Sequence, residues 1–460
     1  MSILLISTYD LGRQPFGLAS PAAWLRRAGH DVTAVDLSRD TLSPDHVARA
    51  VLVAFYLPMH TATRLALPVI DTIRRANPQA SLCAYGLYAP LNAELLRAHG
   101  VTHVLGPEAE ADLVAWADST GSTGSGLARL GFIQPDRSGL PPLSQYASLQ
   151  MPDGTRRVVG ATEATRGCKH RCRHCPIVPV YDGQFRVVPV DVVLADIRAQ
   201  VEQGAQHITF GDPDFFNGPT HARRIVEALH QEWPTLTYDA TIKIEHLLRQ
   251  RDLLPVLART GGLFVTSAVE SVDDAVLAKL EKGHTRADFV EAAARCRDAG
   301  LTLVPTFVAF TPWTTLEGYG ELLDVVDQLG LVDNVAPVQW GIRLLVTWRS
   351  RLLELEDIRA LAGPFDSKTL THPWRHSDPA VDELQAAVME QVGVRATRPR
   401  PETFDAIVHL SHARPPSLAP PWSASAGEAS PKGPAAAQAG TSAPPHPRTS
   451  IPYLNEPWYC

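Results

Sequence analysis

Three cysteines fall within eight residues, in the run Ala164-Thr-Arg-Gly-Cys168-Lys-His-Arg-Cys172-Arg-His-Cys175-Pro. Their spacing is C-x3-C-x2-C, while Cys83, Cys296 and Cys460 are dispersed. Such clustering points to a metal site rather than a disulfide framework. Thiolates are the usual ligands of a [4Fe–4S] cluster. Three of them on one short loop leave the fourth iron open to another ligand. A structural zinc site wants four ligands, usually as two pairs far apart. His170 or His174 would have to complete it, and one short loop rarely wraps zinc alone.

The loop needs a rigid base, and the flanking sequence predicts one. Residues 1–120 alternate between strand-like runs (3–7, 32–36, 50–55, 81–85, 103–105) and helical ones. The first predicted helix is Pro21 to Ala28, capped by Ser20 and ended by Gly29. The expected fold class is α/β, beginning with a Rossmann-like doubly wound domain. Residues 121–160, rich in Gly, Ser, Pro and Asp, read as linker and lead-in. From 161 to 350 the alternation resumes, with strands expected at 161–166, 207–211, 237–242, 263–268, 302–308 and 338–346. Six βα units fit a partial (β/α)6 TIM barrel, whose sites lie at the C-terminal strand ends. A helical extension is expected at 351–412. Residues 413–450, dominated by Pro, Ala, Ser and Gly, read as a disordered linker. An aromatic tail, 451–460, ends in Cys460.

The cysteine spacing, placed after the first strand of such units, resembles the radical S-adenosylmethionine (SAM) superfamily. The α/β domain before it resembles the cobalamin-binding domain of one branch. That resemblance implies a [4Fe–4S] cluster on Cys168, Cys172 and Cys175, with SAM chelating the open iron. One electron then splits the sulfonium and gives a 5′-deoxyadenosyl radical for hydrogen abstraction from an unknown substrate. The electron implies an external donor such as flavodoxin or ferredoxin. His174 stands where members place an aromatic or imidazole residue, just before the third cysteine.

Further positions follow from the same resemblance. Gly211, Asp212 and Asp214 end the second barrel strand, where members contact the SAM amino group; a tight Asp/Pro/Asn turn explains them as well. Glu270 ends the fourth strand and resembles the carboxylate on the SAM ribose, with Ser271 as a helix cap. Lys243 and Glu245 follow the third strand and reach SAM or substrate, or pair with each other. Arg343 meets a carboxylate of a ligand or a structural partner. Cys296, inside a helix, reads as packing.

Cobalamin is a separate question. After the first strand the chain reads Thr8-Tyr-Asp-Leu-Gly-Arg-Gln-Pro-Phe16, without the Asp-x-His-x-x-Gly motif whose histidine ligates cobalt. Binding without that ligand, with radical methylation, and a domain that serves structure alone are both open. A third reading is a non-catalytic iron–sulfur scaffold that presents its tail to a partner.

The ending Tyr453-Leu-Asn-Glu-Pro-Trp-Tyr-Cys460 resembles the CUAEP/CCAEP-tail radical SAM family, whose tails read Cys-Sec-Ala-Glu-Pro or Cys-Cys-Ala-Glu-Pro. The expectation is a chain that continues past Cys460 with selenocysteine, making Cys460 half of a redox tail. A UGA codon after Cys460 fits this, and UAA or UAG defeats it. Net charge is −7, hydrophobic content 45% and charged content 20%. Nothing there argues for nucleic acid or an anionic membrane surface. No apolar run reaches membrane-spanning length, and Met1 to Thr8 reads as a strand rather than a signal peptide. The expected location is cytoplasmic.

Overall fold

The computed structural model describes residues 1–118, 131–394, 398–412 and 451–455. The first domain is a parallel sheet of β1 (Ser2–Ser7), β2 (Asp31–Asp36), β3 (Leu52–Tyr56), β4 (Ser81–Tyr85) and β5 (His103–Val104), in the order β2-β1-β3-β4-β5. Its central strands β1, β3 and β4 are largely apolar because helices cover both faces. Ile3 and Leu5 join one core, and Leu4 and Ile6 join the other. The helices are α1 (Phe16–Arg27), α2 (Pro44–Arg49), α3 (His60–Ala76), α4 (Ala93–Ala98) and α5 (Glu110–Ala117).

Helix α1 begins at Phe16, not at Pro21, and carries Pro21 inside it. A proline in a helix removes the hydrogen bond to the carbonyl four residues earlier. That carbonyl belongs to Gly17, and the Tyr85 hydroxyl donates to it at 2.7 Å. The tertiary contact replaces the bond that Pro21 cannot make. Ser20 is therefore no cap; its hydroxyl donates to Glu110 at 2.6 Å.

The second sheet curls into a half-barrel. Its order is β13-β12-β11-β10-β7-β6-β14. β7 (Arg156–Thr162), β10 (His207–Phe210), β11 (Thr237–Thr241), β12 (Gly262–Glu270) and β13 (Thr302–Phe307) are parallel. β6 (Ser148–Gln150) and β14 (Tyr453–Leu454) pair antiparallel at the edge. The lead-in therefore supplies a strand of the sheet. β8 (Thr165–Gly167) and β9 (Phe185–Val187) form a small ribbon at the start of the cysteine loop. Helix α6 (Val178–Tyr181) follows that loop, and α7 (Val190–Glu202), α8 (Pro219–Glu232), α9 (Ile244–Arg249), α10 (Leu254–Arg259), α11 (Asp274–Lys279), α12 (Arg286–Asp298) and α13 (Leu316–Gln328) cover the sheet. Cys296 is buried in α12, as packing requires.

The sixth expected strand, 338–346, is a short 3-10 helix, Pro337–Gly341, followed by a single bridge from Arg343 to Phe310. Trp340, Leu344 and Val346 are buried, so the apolar run reports burial rather than a ladder. The extension is helical: α14 (Glu356–Leu361), α15 (Pro379–Val394) and α16 (Arg400–His412). Residues 413–450 and Cys460 lie outside the described residues. Among the described residues, no helix is long and apolar enough to cross a membrane.

Buried ion pairs join the two domains. Arg166, just after the first barrel strand, pairs with Glu110 of α5 at 2.7 Å and with Glu163 at 2.9 Å. Arg137 donates to Asp196 at 2.8 and 2.9 Å and to Gln14 at 2.9 Å.

Candidate functional site

The C-terminal ends of both sheets face one chamber of about 780 Å³. From the first domain it is lined by Asp10, Tyr56, Tyr85 and Tyr88, and from the half-barrel by Cys175, Gly211 and Glu270, among others. Sites of open α/β sheets and barrels lie at such strand ends.

The cysteine loop leaves the first barrel strand through Gly167. Its φ is +77°, and a Cβ there would stand 2.4 Å from the Tyr181 ring, so the turn requires glycine. Other elements hold the loop backbone. The Asn217 side chain donates to the Gly167 carbonyl and accepts from the Lys169 amide, each at 3.2 Å. The Arg173 amide donates to the Leu280 carbonyl at 3.0 Å, and Arg351 donates to the Arg171 carbonyl at 2.5 Å. Burial pushes the Cys168 thiol up to about 11 and Cys175 up to about 12, and neighbouring thiols add to both shifts. Lys282 opposes the rise at Cys175. Three cysteine thiols sharing one poorly hydrated loop fit an iron–sulfur cluster, because its irons compensate the charge that otherwise makes these thiolates costly.

The candidate residues divide between two sides of this loop. Gly211 lines the chamber. Asp212 also touches it, but both its oxygens are used internally. One accepts from the Ala164 amide at 3.0 Å and the other from the Thr165 hydroxyl at 2.5 Å. Burial raises its pKa to about 7 against those hydrogen bonds. This carboxyl braces the entry to the cysteine loop.

Glu270 ends β12 at a bulge, with φ at +70°. Bulges re-aim side chains, and here the carboxylate borders the chamber. Its Oε1 lies 3.0 Å from His174 Nε2 and 3.3 Å from Lys282 Nζ. Burial would raise its pKa, but Lys282 and His174 outweigh that and hold it at about 2. The helix cap that follows is Asp273, which accepts from Ala275 and Val276. Ser271 instead accepts from the Asp273 amide at 3.1 Å.

Asp214 and Lys243 do not line the chamber. Asp214 faces His170 and His246. Lys243 reaches Glu245 at 3.1 Å, the pairing expected as one of its alternatives, and His170 at 3.2 Å. Arg343 meets a structural partner: it pairs with Asp382 at 2.7 Å and stacks 3.5 Å over the Trp374 ring. Asn217, Lys282 and His246 carry no spacing signal, since their partners are brought together only by the fold.

Residues 162–325 match the family model described as the Radical SAM superfamily. The chain carries a radical SAM domain. It is thereby an enzyme. Hopanoid C-3 methylase of Methylococcus capsulatus is 25% identical over 332 residues, covering 68% of this chain and 64% of that protein. A tRNA-2-methylthio-N(6)-dimethylallyladenosine synthase of Bordetella petrii is 24% identical over 280 residues, covering 57% of this chain and 55% of that protein. The chain thus spans less than two thirds of the length of these relatives. Among solved structures, the cobalamin-dependent radical SAM enzyme OxsB, with aqua-cobalamin and SAM bound, superposes with a TM-score of 0.68 at 13% identity, over 89% of this chain and 71% of that one. The methyltransferase TsrM of Kitasatospora setae, with cobalamin and a [4Fe–4S] cluster bound, gives 0.56 at 18% identity, over 72% and 70%. At such identities the likeness is one of fold. Here the radical SAM domain shares its strand-end chamber with the preceding α/β domain.

Proposed function

We propose that this protein cleaves SAM reductively and delivers the resulting radical to a substrate held in the chamber between its two domains. The observation that carries this is the three-cysteine loop opening onto a chamber that also borders Gly211 and Glu270. Cys168, Cys172 and Cys175 would hold a [4Fe–4S] cluster, which would supply the one electron that splits the SAM sulfonium into methionine and a 5′-deoxyadenosyl radical. Glu270 is assigned to the SAM ribose through the oxygen not taken by His174 and Lys282, since a carboxylate accepts from two hydroxyls. The Gly211 backbone is assigned to the SAM amino group. His174 and Lys282 keep Glu270 ionised and oriented. The ring of aromatic residues from the first domain limits water around the radical's path.

The test is anaerobic turnover with a chemical reductant after cluster reconstitution. Formation of 5′-deoxyadenosine and methionine supports the reading. No cleavage by protein with a full cluster rejects it.

A second reading, cobalamin-dependent methyl transfer, is favoured by the span of the chamber across both domains. Tyr56, Pro58, Met59, Tyr85, Leu87 and Tyr88 give it an apolar wall suited to a corrin ring. Among the described residues that line it, His174 is the one histidine, and it belongs to the cysteine loop. The site therefore fits a corrinoid without an imidazole from the first domain. A corrinoid spectrum retained after gel filtration supports this reading, and its absence removes it while leaving SAM cleavage to be judged separately.

A further inference from the structure

The side of the cysteine loop away from the chamber carries a second group of ligand-type side chains. His170, Asp214 and His246 each bring one ligand atom within 4.8 Å of the others. They come from the loop itself, the turn after β10 and the first turns of α9. Asp214 and His246 are 2% and 1% exposed. One Asp214 oxygen is occupied, accepting from the Phe216 amide at 3.1 Å. The other, Oδ2, lies 2.6 Å from His246 Nδ1 and 3.4 Å from His170 Nε2. Neither approach has hydrogen-bond geometry, and both Asp214 Oδ2 and His246 Nδ1 are buried without a hydrogen-bond partner. The Nε2 atoms of the two imidazoles stand 3.2 Å apart. Buried polar atoms left without a partner are destabilising. Two imidazoles and a carboxylate gathered in this way lack a common partner.

We infer that His170, Asp214 and His246 hold a divalent cation of the zinc class, beside the cysteine loop but apart from the cysteines. Imidazole nitrogen and carboxylate oxygen bind zinc at about 2.0–2.2 Å. Tetrahedral ligands on such an ion stand roughly 3.3 Å apart, close to the 3.4 Å between Asp214 Oδ2 and His170 Nε2; with His246 Nδ1 as the third ligand atom, its 2.6 Å approach to Asp214 lengthens as the ion enters. His170 Nδ1 lies 3.2 Å from the Lys243 ammonium and 3.7 Å from the Glu245 carboxylate, so binding the ion through Nε2 requires Lys243 to give up this contact and leaves a protonated Nδ1 facing Glu245. A carboxylate behind a ligating histidine is the usual arrangement. Lys243 pairs with the same Glu245 oxygen at 3.1 Å and so need not donate to His170. With neutral imidazoles, the inner charges are Asp214 and Glu245 against Lys243, a surplus of one negative charge. Arg249, on the far oxygen of Glu245, is largely solvated. Because His170 lies between Cys168 and Cys172, the ion ties the loop to the turn after β10 and to α9.

The experiment uses the full chain with its cluster, incubated with zinc chloride and desalted. Metal analysis is combined with zinc K-edge X-ray absorption. The expected result is about one zinc per chain in a nitrogen/oxygen shell near 2.0–2.1 Å. That zinc is lost in Asp214→Asn, which keeps the side-chain shape, and in His246→Ala. Absence of zinc, a sulfur shell near 2.3 Å showing zinc on the cysteines, or zinc retained in both variants overturns the inference. The wild-type spectrum decides even where a variant misfolds.

Discussion

The cysteine loop carries two histidines four residues apart, and each meets a buried carboxylate at the end of a different strand. His174 turns toward the chamber and meets Glu270 of β12. His170 turns away and meets Asp214 after β10. On the chamber side the second partner of the carboxylate is an ammonium, Lys282. On the far side it is another imidazole, His246. An ammonium completes the charge of a carboxylate and leaves no place for a metal ion. A second imidazole offers a lone pair and does leave one. A single loop thus serves two chemistries, and the second partner of each carboxylate, ammonium or neutral imidazole, decides which.

Replacing one cysteine breaks this comparison most sharply. Cys172→Ala is expected to abolish 5′-deoxyadenosine formation while leaving zinc on the far side. If zinc is lost as well, the two sides are one site. Glu270→Gln is expected next in size. It strands the buried Lys282 charge and should lower stability by about 3 kcal/mol, measured by denaturant unfolding. SAM binding should weaken about tenfold by titration, with zinc content unchanged. Unaltered SAM affinity would remove Glu270 from the ribose. Asp212→Asn gives a smaller effect, about 1–2 kcal/mol, because an amide cannot accept from both the Ala164 amide and the Thr165 hydroxyl. Cluster iron per chain should fall with it, since Asp212 sets the entry to the loop.

The sequence disclosed the two sides unevenly. The places of the cysteines, His174, Gly211 and Glu270 were legible because each sits at a fixed local position, on a spaced loop or a strand end. Asp214 was legible as a candidate but not its direction, since the Asp212-Pro213-Asp214 turn sends its two carboxylates to different sides. Lys282 and His246 were not legible: each meets its partner only through the curl of the half-barrel. The core elements of both sheets were legible in their apolar runs. The helix start at Phe16 was not, because the carbonyl freed by Pro21 is satisfied by Tyr85 from a distant strand. Nor was the fate of residues 338–346, where an apolar run marks burial on all sides and leaves strand and turn indistinguishable.

The smallest expected effect separates carboxyls that the fold keeps ionised from those whose proton it holds up to near-neutral pH. Burial would raise Asp214 and Glu270, but His170 and His246, and Lys282 and His174, hold them at about 2. Asp10, on the chamber wall, is raised to about 7 by burial, with Arg13 opposing. A carboxyl with a raised folded pKa binds its proton more tightly in the folded state. Its contribution to stability is complete below about 4 and is lost as pH rises through about 7. For Asp214 and Glu270 the sign is opposite: their contribution is present above about 4.5 and is lost as pH falls toward 2. Stability should therefore decline on both flanks, and Asp10→Asn should flatten only the alkaline one. Asp10 is half-buried and open to chamber water, so solvent screening keeps its share below about 1 kcal/mol. Thermal unfolding at pH 5 and pH 8 checks this. If Asp10→Asn leaves the difference between the two melting temperatures unchanged, the alkaline decline belongs to another group, and Asp212, also raised to about 7, is the next to replace.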